Sequence, residues 1–180
     1  MKSTINVSVC IQNLYEYNNG QLIYKWIELP ASEEEINNAL AEISTASSQE
    51  YMIADVSSED GIFNSLIKYY NDIYEVNSFL EELELARVDS NIVKTVCHLL
   101  ADKQEIVETL ECGNYIILDD INDTEDLGEA LVFNLDWLGL SREELDRVAL
   151  YLDYESIGLE AEINGWYIDK DNNTAIKITY

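Results

Sequence analysis

Cys97 and His98 stand side by side, and His98 is the single histidine of the chain. A thiol and an imidazole can make a nucleophile and its base, or two ligands of a metal, when both side chains turn toward one point. Neighbours on a helix point about 100° apart, and no second Cys or His stands at ligand spacing. The pair therefore reads as structural or as part of the surface. Two acidic runs resemble the start of a calcium loop. From Asp120, Asn122 and Thr124 follow at ligand positions, but the sixth position is Glu125, where the turn needs glycine. From Asp169, Asp171 and Asn173 fit, yet the sixth position is Thr174 and the twelfth is Tyr180 in place of a bidentate glutamate. There is no Gly-x-Ser-x-Gly, no Gly-x-Gly-x-x-Gly and no Gly-Lys-Ser/Thr loop. Paired carboxylates for acid–base work carry no information among 36 acids. The residues mark no enzyme, no cofactor and no metal site.

Carboxylates are what the chain has in excess. Its 36 acids against ten Lys and Arg leave a formal net charge of −26 over 180 residues, with a hydrophobic fraction of 47%. The acids are interleaved with apolar positions, so they describe a folded body with a negative surface and not a disordered tail. Acids outnumber bases 10 to 2 over residues 1–60, 9 to 4 over 61–110 and 17 to 4 over 111–180. Such a surface repels nucleic acid directly. At one charge per roughly 1.7 Å of duplex axis, 26 charges correspond to about 44 Å of DNA. As a phosphate substitute the protein is then expected to be elongated and dimeric. The other meaning of net charge, solubility of a monomer, is the reading composition alone favours. Cys10, Cys97 and Cys112 are odd in number and irregularly spaced, and Met1-Lys2-Ser3-Thr4 is not followed by an apolar run, which reads as cytoplasmic and reduced. No apolar stretch reaches a membrane span and no basic face suits anionic lipid.

The elements that carry these carboxylates are legible in part. Ile5, Val7, Val9 and Ile11 alternate, as do Leu22, Tyr24 and Trp26, and Asn18-Asn19-Gly20 between them predicts a hairpin. After Pro30, Ser32-Glu33-Glu34-Glu35 is a capping box opening a helix with Ile36, Ala39, Leu40 and Ile43 on one face. Tyr51 to Val56 predicts a third strand. From Ile62 to Leu110 the spacing is helical, through Leu66, Tyr69, Tyr70 and Ile73, then Val76, Phe79, Leu80 and Leu83, with breaks at Arg87–Ser90 and Ala101–Lys103. Gly113 suits the position after the last of these helices. Tyr115 to Leu118 predicts a strand, Asp119 to Asp126 leads into a helix, and Ser141-Arg142-Glu143-Glu144 is a second capping box. That second helix is expected to point Leu145, Val148, Ala149 and Leu152 inward and to stop at Gly158. Ile163–Ile168 and Ala175–Tyr180 alternate around Asp171-Asn172-Asn173. The expected class is α+β, three small units in a row: an α+β unit over 1–60, a helical unit over 61–111 and an α+β unit over 112–180. Of the twelve tyrosines, Tyr15, Tyr17, Tyr69, Tyr70, Tyr74, Tyr151 and Tyr154 fall beside acids or at element ends, where interface or core-edge roles are both open.

Three stretches carry a family likeness. They are Asn13-Leu14-Tyr15-Glu16-Tyr17-Asn18-Asn19-Gly20-Gln21-Leu22 with Trp26, Leu29-Pro30 and Glu33-Glu34-Glu35, followed by Tyr51-Met52-Ile53-Ala54-Asp55; Ile73 to Leu83 with Asn77; and Leu150-Tyr151-Leu152-Asp153-Tyr154-Glu155-Ser156-Ile157-Gly158. In this order they resemble the ArdA family of antirestriction proteins, and the last resembles the antirestriction motif itself. Members commonly follow that glycine with Arg-Asp, where this chain has Leu159-Glu160.

The resemblance implies an elongated homodimer, joined through its C-terminal part, that imitates bent B-form DNA. It implies occupation of the DNA-binding groove of Type I restriction–modification enzymes, in their methyltransferase and specificity subunits, to protect an incoming mobile genetic element. Carboxylates expected to stand for phosphates are Glu33, Glu34, Glu42, Glu81, Glu82, Asp119, Asp120, Asp123, Glu125, Asp126, Glu129, Glu143, Glu144 and Asp146. Tyr151, Asp153, Tyr154, Glu155 and Gly158 are expected to serve the motif or dimerisation. The alternative is an acidic adaptor or regulator that binds a protein surface other than a DNA groove.

Overall fold

The computed structural model describes residues 5–58, 61–67 and 72–179. Tyr69, Tyr70 and Tyr180 lie outside the described residues. The chain is α+β, with two small antiparallel sheets and short helices, and divides into two compact units, Met1–Glu111 and Cys112–Tyr180. The first holds both the expected N-terminal and the expected helical units.

In the first unit β1 (Val7–Asn13) is central, flanked by β2 (Tyr24–Leu29) and β3 (Tyr51–Ser58), both antiparallel to it. The hairpin between β1 and β2 forms as the alternation predicts, but its connection is longer than an Asn-Gly turn. Asn13 instead caps a one-turn helix, α1 (Leu14–Asn18), and Gly20 takes φ +80° beyond it. Asn13 is buried and does three jobs: its Oδ1 accepts the Glu16 N–H at 3.0 Å, and its Nδ2 donates to the carbonyls of Ile43 and Ser48 at 3.0 and 3.2 Å. That side chain ties the strand end to the end of α2 (Glu33–Ile43) and the loop after it. Val7, Val9 and Ile11 are fully buried beneath Ile36, Ala39 and Ile43 of α2, which covers this face of the sheet.

Four helices follow: α3 (Ile62–Ile67), α4 (Ile73–Leu85), α5 (Ser90–Leu99) and α6 (Lys103–Cys112). The breaks fall where the periodicity lapses, with Arg87 at φ +55° and Leu100 extended. Val76, Phe79, Leu80, Leu83, Val93, Val96 and Ile106 form their buried faces. Asn77 joins α4 to the strand–helix part, donating to the Ala31 carbonyl at 3.1 Å and accepting the Ala31 N–H at 2.7 Å.

The second unit runs β4 (Tyr115–Asp119), α7 (Thr124–Asn134), α8 (Arg142–Val148), a 3-10 turn (Ala149–Tyr151), α9 (Tyr154–Ile163), β5 (Trp166–Asp169) and β6 (Thr174–Ile178), with sheet order β4-β6-β5. Leu118, Ile121, Leu127, Leu131, Ala161, Trp166, Ile168 and Ala175 make its core. The helix opened by Ser141 does not reach Gly158, contrary to the sequence expectation. It ends at Val148, the chain extends at Leu152, and Asp153 caps a new helix that carries Gly158 in its interior. Of the four positions expected to face inward, Leu145 is buried and Val148, Ala149 and Leu152 are half-buried.

Both predicted capping boxes form. The Ser32 N–H and hydroxyl donate to Glu35 at 2.9 and 2.7 Å, and those of Ser141 donate to Glu144 at 2.9 and 2.5 Å. The serine hydroxyl, then the serine N–H, hold each carboxyl below the ordinary glutamate range. A carboxyl whose pKa is lower in the folded than in the unfolded chain adds stability above the unfolded pKa and loses it as pH falls through the folded one. The double variant Glu35→Gln/Glu144→Gln is therefore expected to be less stable than wild type at pH 7. That gap closes as pH drops through about 4 and below, measured by urea unfolding at a series of pH values; an equal gap at pH 7 and pH 3 would contradict it.

Candidate functional site

Among the described residues Glu16 is the one buried acidic side chain, accepting the Thr45 hydroxyl at 3.0 Å. The other described acids are exposed or half-buried, so the charge read from composition lies on the surface. Twelve of the fourteen candidate carboxylates are exposed; Glu82 and Asp126 are half-buried.

Their surroundings sort them. Glu42 pairs with Lys25, Glu82 lies 4.0 Å from Lys103 Nζ, and Glu143 lies 2.5 Å from Arg147 one helical turn on. Those three carry less free charge than their exposure suggests, although a surface pair contributes only about 0–1 kcal/mol to stability. Glu33 and Glu34 are exposed in the first turn of α2, beside Glu35. Glu81 accepts from Asn77 Nδ2 at 3.0 Å. In the second unit Asp119 ends β4, Asp120 takes φ +62°, and Asp123 caps α7 by accepting the Asp126 N–H at 3.0 Å. Asp126 in turn accepts Asn122 Nδ2 at 2.8 Å and the Asn122 N–H at 3.0 Å, which lowers its pKa. Glu125 and Glu129 are exposed on α7, and Glu143, Glu144 and Asp146 are exposed on α8.

The segment from Asp120, whose spacing fails as a calcium loop, is the entry to a helix, and Asp123 and Asp126 bond to backbone and amide N–H groups. Asp169 does the same at the β5–β6 turn, accepting from the Asp171 and Asn172 N–H groups at 3.1 and 3.3 Å. Among the described residues no group of three or more His, Cys, Asp or Glu side chains is placed to hold a metal ion. Cys97 is buried in α5, its thiol pushed up to about 12 by desolvation, and His98 beside it is exposed. No helix of the described residues is long and apolar enough to cross a membrane. Between α4 and α6 lies an open groove of about 670 Å³ whose lining includes Glu82, Asp102, Glu108 and Glu111. Lys103 also lines it, with Nζ 5.9 Å from the Phe79 ring centroid.

The motif-like residues come together at the start of α9. Asp153 caps it, accepting the N–H and the hydroxyl of Ser156 at 3.0 and 2.8 Å; these bonds lower its pKa. Tyr154 is half-buried, donates its hydroxyl to the Ala149 carbonyl at 2.9 Å and stands 6.1 Å from the Phe133 ring. Partial desolvation, then Glu129, push its phenol up. Glu155 is exposed in the first turn. Tyr151 is 86% and Leu150 93% exposed, so the 3-10 turn projects both side chains into solvent. Gly158 is buried where α9 crosses α7: a Cβ there would lie 1.9 Å from the Thr124 carbonyl oxygen. Gly128 is its counterpart, since a Cβ on it would lie 1.9 Å from the Tyr154 carbonyl oxygen.

A family model described as antirestriction protein (ArdA) matches residues 9–173. The chain therefore falls among the antirestriction proteins, inhibitors whose target is a restriction–modification enzyme. Within that class it belongs to the ArdA family, the match covering nearly the whole sequence. A search of curated proteins finds no match.

Sequence reasoning missed Gly128, and it missed α9 as a separate helix. It therefore also passed over Glu160 and Glu162, both exposed on α9. The signal was present: Asp153, with Ser156 three residues on, has the form of a helix cap. Gly158 was the distraction, because a glycine after a helical run reads as a stop.

Alanine in a helix interior is favoured over glycine by about 1 kcal/mol, whereas overpacking costs about 1–3 kcal/mol. At Gly158 the overlap is with backbone, which cannot swing aside. Gly158→Ala and Gly128→Ala are each expected to destabilise the protein by roughly 1–3 kcal/mol in urea unfolding followed by near-UV circular dichroism. A stabilised variant would show that α7 and α9 do not cross this closely.

Proposed function

We propose that this chain inhibits Type I restriction–modification enzymes as a DNA mimic. Its carboxylates stand where duplex phosphates stand in the DNA-binding groove of the methyltransferase and specificity subunits, which protects incoming mobile DNA. The observation that carries this reading is that twelve of the fourteen candidate acids are exposed and that several acids of this surface are held in place. Asp123, Asp126, Glu144 and Asp153 are held by helix-cap hydrogen bonds, and Glu33, Glu34, Glu125 and Glu143 sit in first helical turns. An anchored array keeps its charges at fixed spacing and loses little ordering entropy when a basic groove closes on it, unlike a flexible polyanion. Phosphate contacts position a duplex without reading its sequence. Inhibition is accordingly broad across recognition sequences.

Homodimerisation is part of the proposal. Leu150, Tyr151 and Ile163 are 93, 86 and 86% exposed in the second unit, with Leu159 half exposed. Apolar side chains this exposed on a charged surface suit burial against a second copy, with Tyr151 of the motif among them. The double variant Leu150→Ser/Tyr151→Ser is expected to sediment as a monomer at concentrations where wild type is a dimer. An unchanged dimer would move the interface elsewhere.

The mimic itself is tested by competition. Purified protein is titrated into a Type I methyltransferase bound to a labelled duplex carrying its site. Displacement is expected to be stoichiometric, and the inhibition constant, corrected for the duplex's own affinity at each salt concentration, to weaken at least about tenfold between roughly 50 and 200 mM salt, less than the roughly 10³–10⁵ of six to ten duplex phosphate contacts because a folded surface condenses fewer counterions. Joint replacement of Asp119, Asp120, Asp123 and Glu125 by their amides is expected to flatten that salt dependence. An inhibition constant indifferent to salt would favour an adaptor, and a duplex left bound at large excess rejects the mimic for that enzyme.

A further inference from the structure

The sheet of the first unit buries one face under α2, and its register places a different set of side chains on the other. Cys10 lies opposite both Trp26 and Asp55, Gln12 opposite Tyr24, and Ser8 opposite Glu28, so all of these share that second face. Tyr24 is 56% and Trp26 43% exposed there, and Glu28 and Asp55 are exposed as well. Beneath them the central strand is closed, with Cys10 and Gln12 only 7 and 6% exposed. The register sets Asp55 across from Cys10, and burial, then the Asp55 carboxylate, push the Cys10 thiol up. Glu28 is held in place by a hydrogen bond from the Ser8 hydroxyl.

The chemistry of this face selects its partner. The face of an aromatic ring is negative and attracts a cation within about 6 Å, and carboxylates on both sides add to that attraction. An aliphatic partner would desolvate Glu28 and Asp55 without pairing them, which is unfavourable. An anionic partner would meet the field of a chain with net charge −26. Arginine satisfies both features at once, since its guanidinium stacks on rings and forks to carboxylates.

We propose that this open sheet face docks arginine or lysine side chains of a basic protein groove, the rings of Tyr24 and Trp26 receiving the cation between Glu28 and Asp55. The proposal rests on the DNA-mimic reading and adds to it an element that duplex phosphates lack. It makes part of the affinity independent of formal charge, and that is what an experiment can separate.

Tyr24→Val/Trp26→Val keeps strand-forming residues and removes both rings, while Tyr24→Phe/Trp26→Phe keeps the rings. Each is titrated against the methyltransferase–duplex complex across salt concentrations. The valine variant is expected to displace DNA about tenfold more weakly, equivalent to about 1.4 kcal/mol, with the wild-type salt dependence. The phenylalanine variant is expected to stay within about threefold of wild type, rings being the feature that counts. A valine variant as potent as wild type overturns the docking face and leaves the mimic standing. So does a phenylalanine variant as weak as the valine one. A valine variant that is monomeric where wild type is dimeric assigns the face to a second copy and also overturns the proposal. Should wild type itself displace nothing, the mimic fails and a nona-arginine peptide decides the face alone. In an NMR titration the Trp26 indole resonance then shifts more than those of Trp137 and Trp166, and equal or smaller shifts overturn the proposal.

Discussion

A chain with 36 acids and ten bases must stabilise its carboxylates with something other than cations. Here that something is the unpaired N–H groups at helix N-termini. Each helix start presents donors without an intrahelical partner and the positive end of the helix dipole, a favourable place for an anion. Asp72, Asp89, Asp123 and Asp153 cap α4, α5, α7 and α9, Asp102 accepts at the start of α6, and capping boxes close the starts of α2 and α8. Division of the chain into many short helices multiplies such starts. The same division breaks a negative surface into segments whose charges are fixed locally, so that apolar cores of modest size hold against self-repulsion.

This arrangement explains which parts of the fold were legible in the sequence. Capping boxes at Ser32 and Ser141, the helix breaks near Arg87 and Ala101, and the strand at Tyr115 depend on neighbours within four residues. Periodicity and cap chemistry report them. The order β2-β1-β3 and the order β4-β6-β5 depend on which distant strand pairs with which. At the turn between β1 and β2, Asn13 accepts the Glu16 N–H and so starts a helical turn, while its Nδ2 is held by the carbonyls of Ile43 and Ser48 far along the chain, where Asn18-Asn19-Gly20 alone suggested a tight loop.

Gly158 shows the limit most clearly. Read locally, glycine after a helical run is a stop. Read in the fold, it is the one residue small enough to let the Thr124 carbonyl approach, matched by Gly128 on the other helix. Sequence located the motif but assigned its glycine the opposite local role, because close approach between two helices leaves no trace in either helix's own periodicity. Similarly, exposure of the acids was legible from composition, whereas the pairing of Glu42, Glu82 and Glu143 with Lys25, Lys103 and Arg147 was not, and it separates well-anchored free carboxylates from partly neutralised ones.

The antirestriction-like motif therefore acts first as architecture. Asp153 starts α9, Tyr154 fastens that start to the Ala149 carbonyl and stands near Phe133, and Gly158 seats α9 against α7. The exposed carboxylates Glu125 and Glu129 ride on α7, and Glu155, Glu160 and Glu162 ride on α9, so their spacing is set by this one crossing. A change at Asp153, Tyr154 or Gly158 would disturb an array of charges without removing any of them. Loss of inhibition from such a change would accordingly report a displaced surface, whereas Tyr151 and Leu150 of the same motif, which project into solvent, are positioned to report a contact with a partner directly.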